Sequence, residues 1–154
     1  TRPPPSERAL AIWTGCGVVV FRALLGEASL AALRRAVREA ERPGRSSPER
    51  SLTIRNARSR ALRALDVRES SAALGGVSAR LSRFLDRALG PKQQLLEYNV
   101  MVTKPGAEDQ GFHSDVTNFD TRLASVQISL VDTDAQQGAL EVTPGTQRTR
   151  YSPP

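Results

Sequence analysis

The chain has one histidine, one cysteine, one methionine and one tryptophan, and aromatic residues make up only 5% of its 154 positions. A lone Cys16 excludes an internal disulfide, which fits a reduced, intracellular setting. The expectation for that thiol is a small buried residue beside a strand rather than a reactive group. No run of about eighteen apolar residues occurs, and the start TRPPPSERALAIW lacks the basic flank and long apolar core of a secretory leader. No segment is therefore expected to span or cross a membrane. Internal repeats and low-complexity tracts are absent as well.

Lysine is scarce: of the 22 basic residues, only Lys92 and Lys104 are not arginine. The formal net charge of +6 raises the question of a polyanionic partner. The first 90 residues carry 17 of the 22 basic and 8 of the 16 acidic groups, so the excess is lopsided. Yet the arginines are scattered among Ala, Ser and Glu, without a basic run or interleaved aromatics. The expectation is a compositional bias and no nucleic-acid partner, with an arginine-driven nucleic-acid binder as a competing reading that salt dependence would test.

With 39% apolar residues, 154 positions suffice for one globular domain with a real core. Gly17 to Phe21, GVVVF, is a β-branched run of strand length. EASLAALRRAVREAERPG places Leu30, Leu33 and Val37 at helical spacing, with arginines 34, 35 and 38 on other faces and Pro43-Gly44 as the stop. Residues 45–76 are rich in Ser and Arg and read as loop and broken helix, with weak periodicity around Leu62 and Leu65. From Val77 to Leu89 the apolar positions again recur at helical spacing, ended by Gly90-Pro91.

Beyond Pro91 the period changes to two. Leu96, Tyr98, Val100 and Val102 share one face before Pro105-Gly106 turns the chain; Ala124, Val126, Ile128 and Leu130 alternate with Ser125, Gln127 and Ser129; ALEV follows Gly138. Strands are thus expected at 95–104, 112–118, 123–132 and 139–143. Helices followed by consecutive strands indicate an α+β protein with an antiparallel sheet, such as a jelly roll backed by helices.

The single histidine lies in GFHSD. On a strand, His113 and Asp115 project to the same side. A neutral imidazole nitrogen and a carboxylate oxygen are two of the three ligands of the facial triad that suits non-haem Fe(II). By itself such a pair is more often surface or core detail, a hydrogen-bonded histidine near a carboxylate, than a metal site.

The order of segments around it adds a resemblance. The strand ending KPG, then GFHSD, ASVQISLVDTD, a polar loop and GALEVTPGT, together with GCGVVVFRALLGEASLAALRRAV near the start, resemble the phytanoyl-CoA dioxygenase-like family of Fe(II)- and 2-oxoglutarate-dependent oxygenases. The resemblance covers most of the chain and is most specific from Leu95 to Thr146. It implies a double-stranded β-helix, cupin-like, with the N-terminal helices packed on it: residues 1–92 as the strand and helical part, and 93–154 as the first half of the jelly-roll core of a single domain. It implies that His113 and Asp115 bind Fe(II), that Val100 and Gln127 touch 2-oxoglutarate, and that Gly138, Pro144 and Gly145 are turn formers. Val100, matched on the KP anchor, and Gln127, matched on VQISLVD, also read as plain sheet residues.

The implied reaction is oxidation of a small-molecule substrate by O₂, coupled to conversion of 2-oxoglutarate to succinate and CO₂. A carboxylate at position 115 implies hydroxylation, since a halogenating relative needs a small residue there. The family's triad closes with a second histidine, followed slightly later by an arginine that holds the 2-oxoglutarate carboxylate. Neither is matched here, because Arg148 and Arg150 precede the strands that would carry them and read as surface charge. The expectation is a fragment ending after the first half of the barrel. The competing reading from another class is a catalytically inactive jelly-roll binding domain that lacks the distal ligand.

Overall fold

A computed structural model describes residues 7–42, 60–65, 71–115 and 123–148. Three helices and one two-stranded antiparallel ladder form its regular part: α1 (Glu7–Cys16), α2 (Glu27–Ala40), β1 (Arg60–Ala64), α3 (Ser71–Leu89) and β2 (Asn99–Thr103). Single-turn helices follow at Ala135–Gln137 and Thr146–Arg148. No helix among the described residues is long and apolar enough to cross a membrane.

The core sits around α3, which packs against both α1 and α2. Leu81 and Phe84 of α3, Leu33 and Ala36 of α2, and Ala9 of α1 are all buried. Burying each of the larger side chains contributes about 1.5–3 kcal/mol. Phe84 meets Trp13 edge-on with centroids 6.0 Å apart and Phe21 edge-on at 5.2 Å. Three of the seven aromatic residues thus meet at one junction.

Several expectations are corrected here. Gly17 to Phe21 is not a strand: α1 occupies the residues just before it, and the run leaves the helix as unladdered chain. Its β-branched composition suits a strand, but a strand needs a partner, and composition names none. Gly17, at φ +74, is the left-handed residue that ends α1, and its N–H donates to Trp13 O at 2.8 Å. Cys16, the last residue of α1, is exposed rather than buried.

Within 45–76, residues 60–64 form β1 and residues 71–76 are the opening turns of α3; the rest of that stretch, 45–59 and 66–70, lies outside the described residues. The helix thus begins six residues before Val77, through Gly75-Gly76. Gly76 has a packing reason to be there: a Cβ at that position would stand 3.1 Å from Ser29 Oγ, on α2. The missing side chain lets the two helices approach.

β1 and β2 pair with Arg60 opposite Thr103 and Ala64 opposite Asn99. The Leu65 N–H donates to Tyr98 O at 2.9 Å, which extends the same register by one pair. Along β2 the expected alternation holds, with Val100 and Val102 half-buried and Asn99, Met101 and Thr103 exposed. Among the described residues the ladder stops there. Residues 112–115, 123–132 and 139–143 carry no strand, and 116–118 and Arg150 lie outside the described residues. Period-two alternation specifies which side chains share a face; it does not supply the neighbouring strand whose hydrogen bonds make a ladder. The facing still survives in 123–132, where Ala124, Ile128 and Leu130 are half-buried and Ser125, Gln127 and Ser129 exposed, with Val126 the exception.

Two clasps fasten the C-terminal half to the helices. Arg34 on α2 donates through Nε to Leu130 O at 2.8 Å and through a terminal nitrogen to Glu27 at 3.1 Å. The Gly145 N–H donates to Cys16 O at 2.8 Å, while the Gln147 amide donates to Thr14 O at 3.4 Å and Gly15 O at 3.2 Å. Carbonyls at the end of α1, which have no partner within the helix, are thereby satisfied.

Candidate metal centre

The segment after β2 turns at Pro105-Gly106, where the Ala107 N–H donates to Lys104 O at 3.2 Å. It then carries Gln110 to Asp115 along the surface. His113 Nδ1 lies 2.8 Å from Gly111 O. A carbonyl oxygen only accepts, so Nδ1 bears the proton, and in the neutral ring Nε2 keeps its lone pair. That nitrogen stands 3.4 Å from Asp115 Oδ1 and 3.4 Å from the Gln110 amide nitrogen. The other carboxylate oxygen, Asp115 Oδ2, accepts a hydrogen bond from the Ser125 hydroxyl at 3.2 Å.

In the neutral ring with the proton on Nδ1, Nε2 and Oδ1 face each other as two lone-pair donors. Such a pair gains by sharing a cation. Two donors bound at right angles to one ion, each at about 2.1 Å, stand roughly 3.0 Å apart. The observed 3.4 Å is close enough for small side-chain rotations to close the gap, and both side chains are about half exposed. An imidazole nitrogen with a carboxylate oxygen is also a donor set that first-row divalent ions accept. Among the described residues, no third His, Cys, Asp or Glu gathers with them.

The other two candidates are placed differently. Val100 lies half-buried in β2, opposite Arg63 in the register. Gln127 is exposed on the 123–132 segment, two residues past Ser125. Tyr98 alternates with Val100 along the same ladder, so the two side chains share a face. The Tyr98 hydroxyl is buried, with no hydrogen-bond partner among the described residues.

A family model described as phytanoyl-CoA dioxygenase matches residues 13–153. The chain belongs to the phytanoyl-CoA dioxygenase family. No curated protein and no solved structure matches it. Phytanoyl-CoA dioxygenase family members have a jelly-roll fold and are Fe(II)- and 2-oxoglutarate-dependent oxygenases, which assigns the chain to that enzyme class at the level of the family. The matched span contains the H-x-D pair, both clasps and all of α2 and α3.

The sequence spacing points to His113 and Asp115 as candidates but not to the groups around them. Gln110 carries no sequence signal, and for Ser125 only the alternation that sets it opposite the apolar face hints at an available hydroxyl. The Gly111 carbonyl has no signature in sequence at all, since every residue has one. Gly138, at φ +77, closes the single turn capped by Asp134, whose Oδ1 accepts from the Gln136 and Gln137 N–H groups at 2.9 and 3.0 Å. A left-handed residue is needed there, and glycine takes that conformation without steric cost.

Proposed function

We propose that this chain belongs to an enzyme that hydroxylates a small organic or acyl substrate, with His113 and Asp115 holding Fe(II) and with 2-oxoglutarate as cosubstrate. The observation that carries the reading is the approach of His113 Nε2 to Asp115 Oδ1, each with its lone pair available, inside a family match that runs from residue 13 to 153. When bound, the iron and 2-oxoglutarate supply the oxidation: O₂ gives one atom to succinate and one to the substrate hydroxyl, with release of CO₂.

The chain's own residues have preparatory tasks. Gly111 O fixes the imidazole tautomer, so that Nε2 rather than Nδ1 is the donor. Asp115 contributes the negative charge that draws a divalent cation to an exposed site. Gln110 lies against the same nitrogen and must turn aside when a cation takes the lone pair. The face shared by Tyr98 and Val100 is our candidate for the cosubstrate: the hydroxyl, without a partner among the described residues, can donate to a carboxylate, and Val100 offers the apolar wall beside it. Gln127 is the candidate on the following segment.

One observation favours a second reading, an inactive jelly-roll binding domain: the described residues bring only two metal-ligating side chains together. The test is succinate release from 2-oxoglutarate by the full-length protein, with and without Fe(II). Iron-dependent release that His113→Ala abolishes supports the oxygenase. Absence of release from protein that binds the metal supports the inactive domain.

A further inference from the structure

Asp115 has two oxygens, and the structure gives them different partners. Oδ1 stands 3.4 Å from His113 Nε2, whereas Oδ2 accepts the Ser125 hydroxyl at 3.2 Å. We propose that Ser125 is a positioning residue for the metal-binding carboxylate, one that presents Oδ1 alone to the ion. The proposal rests on the reading of His113 and Asp115 as metal ligands.

The physical argument begins with freedom. The Asp115 side chain is 59% exposed, and the terminal torsion of an aspartate is broad, with no deep rotameric well. Left alone, the carboxylate turns either oxygen, or both, toward the imidazole. A hydroxyl donating to Oδ2 restrains that rotation and occupies one lone pair on the far oxygen. Oδ1 is then the oxygen left facing Nε2.

His113 is held in the same manner. Its far nitrogen, Nδ1, donates to Gly111 O at 2.8 Å, which leaves Nε2 as the near donor. Each of the two side chains is thus fixed through the atom that does not face its neighbour, the arrangement that orients ligands at metal sites. A neutral hydroxyl suits the task on Asp115, since it orients the carboxylate without cancelling the charge that attracts the cation. A lysine or arginine there would do both.

Ser125 also joins two segments. It lies ten residues beyond Asp115, on the 123–132 stretch that Arg34 fastens to α2 through Leu130 O. The carboxylate is thereby tied, through Ser125 and its own segment, to the helical core.

The test compares wild type, Ser125→Ala, Ser125→Thr and His113→Ala in the full-length protein. Mn(II) binding is followed by the electron paramagnetic resonance of free Mn(II), Co(II) coordination by its visible spectrum, and stability by urea unfolding of metal-free protein. Loss of a group that orients a metal ligand costs roughly 10- to 100-fold in metal affinity. The expected result is a Mn(II) affinity weakened by that factor in Ser125→Ala, with an altered Co(II) spectrum, recovery in Ser125→Thr and an unchanged unfolding midpoint. Wild-type affinity and spectrum in Ser125→Ala, beside the expected loss in His113→Ala, would overturn the role of Ser125 alone. Equal binding by wild type and His113→Ala would overturn the metal reading and the proposal with it. A lowered unfolding midpoint in Ser125→Ala that Ser125→Thr does not restore would make the residue structural and also overturn the proposal.

Discussion

Removing one oxygen atom from Tyr98 should leave the ligand-free protein at least as stable as before. Its hydroxyl is buried and has no hydrogen-bond partner among the described residues. A buried donor without a partner costs about 1–3 kcal/mol of desolvation that no interaction repays. Tyr98→Phe deletes that oxygen and keeps the ring, while the backbone bond from the Leu65 N–H to Tyr98 O is untouched. The expected change in urea-unfolding free energy therefore runs from zero to a gain of about 2 kcal/mol, less than the full penalty because the site relaxes around the hydroxyl. The ligand arm has the opposite sign. If a 2-oxoglutarate carboxylate accepts from this hydroxyl, the lost bond to a charged group is worth about 1.5–3 kcal/mol, or roughly 10- to 100-fold in affinity. The assay is urea unfolding of both proteins, with Trp13 fluorescence as the probe, in metal-loaded samples with and without 2-oxoglutarate. A variant destabilised by more than about 1 kcal/mol without ligand would show that the hydroxyl has a partner after all and would refute the reasoning.

Phe84→Ala should cost about 3–5 kcal/mol, because the ring is 6% exposed and takes edge contacts from both Trp13 and Phe21; denaturant unfolding that gives less than about 1.5 kcal/mol would mean the junction is not the core. Gly75→Ala should stabilise by about 0.5–1 kcal/mol, since a Cβ there meets nothing, while Gly76→Ala should gain less because its Cβ would stand 3.1 Å from Ser29 Oγ; equal gains in thermal unfolding would contradict close packing of α2 on α3. Gly17→Ala should destabilise by about 1–2 kcal/mol, given φ +74 and a Cβ that would fall 2.5 Å from the Gln147 side chain; an unchanged melting temperature would argue against that clasp. Mn(II) affinity should weaken steadily from pH 8 to pH 5, because protons compete with the metal for the imidazole lone pair; a flat profile would remove His113 as a ligand.

How much of this was legible in sequence depends on whether a feature is local. The helical spacing of Leu30, Leu33 and Val37, and of Leu81, Phe84 and Leu85, is local to each segment; α2 lies where it predicts, and α3 covers the predicted stretch but begins six residues earlier. The alternation around Val100 is equally local and marks β2. α1 is not among the expected elements although Ala9, Leu10 and Trp13 stand at helical spacing, since its apolar pattern is short and follows a run of prolines. β1 was missed because RALRA has no β-branched residue; its pairing with β2 makes it a strand, and pairing is not a local property. GVVVF was misread for the converse reason. At the candidate centre, the H-x-D spacing shows in the letters, whereas the bonds from Ser125 and to Gly111 O depend on how separate atoms meet in space. The third ligand, expected to be a second histidine, has no counterpart in a sequence with a single histidine.

The most direct test of the account is a calorimetric titration of Fe(II), under anaerobic conditions, into the metal-free full-length protein and into its His113→Ala and Asp115→Ala variants. Saturable binding by the wild type is expected, with a loss of at least about tenfold in affinity in each variant. Superimposable curves for all three proteins would contradict it, since the nitrogen and oxygen that face each other across 3.4 Å would then not be the pair that holds the metal.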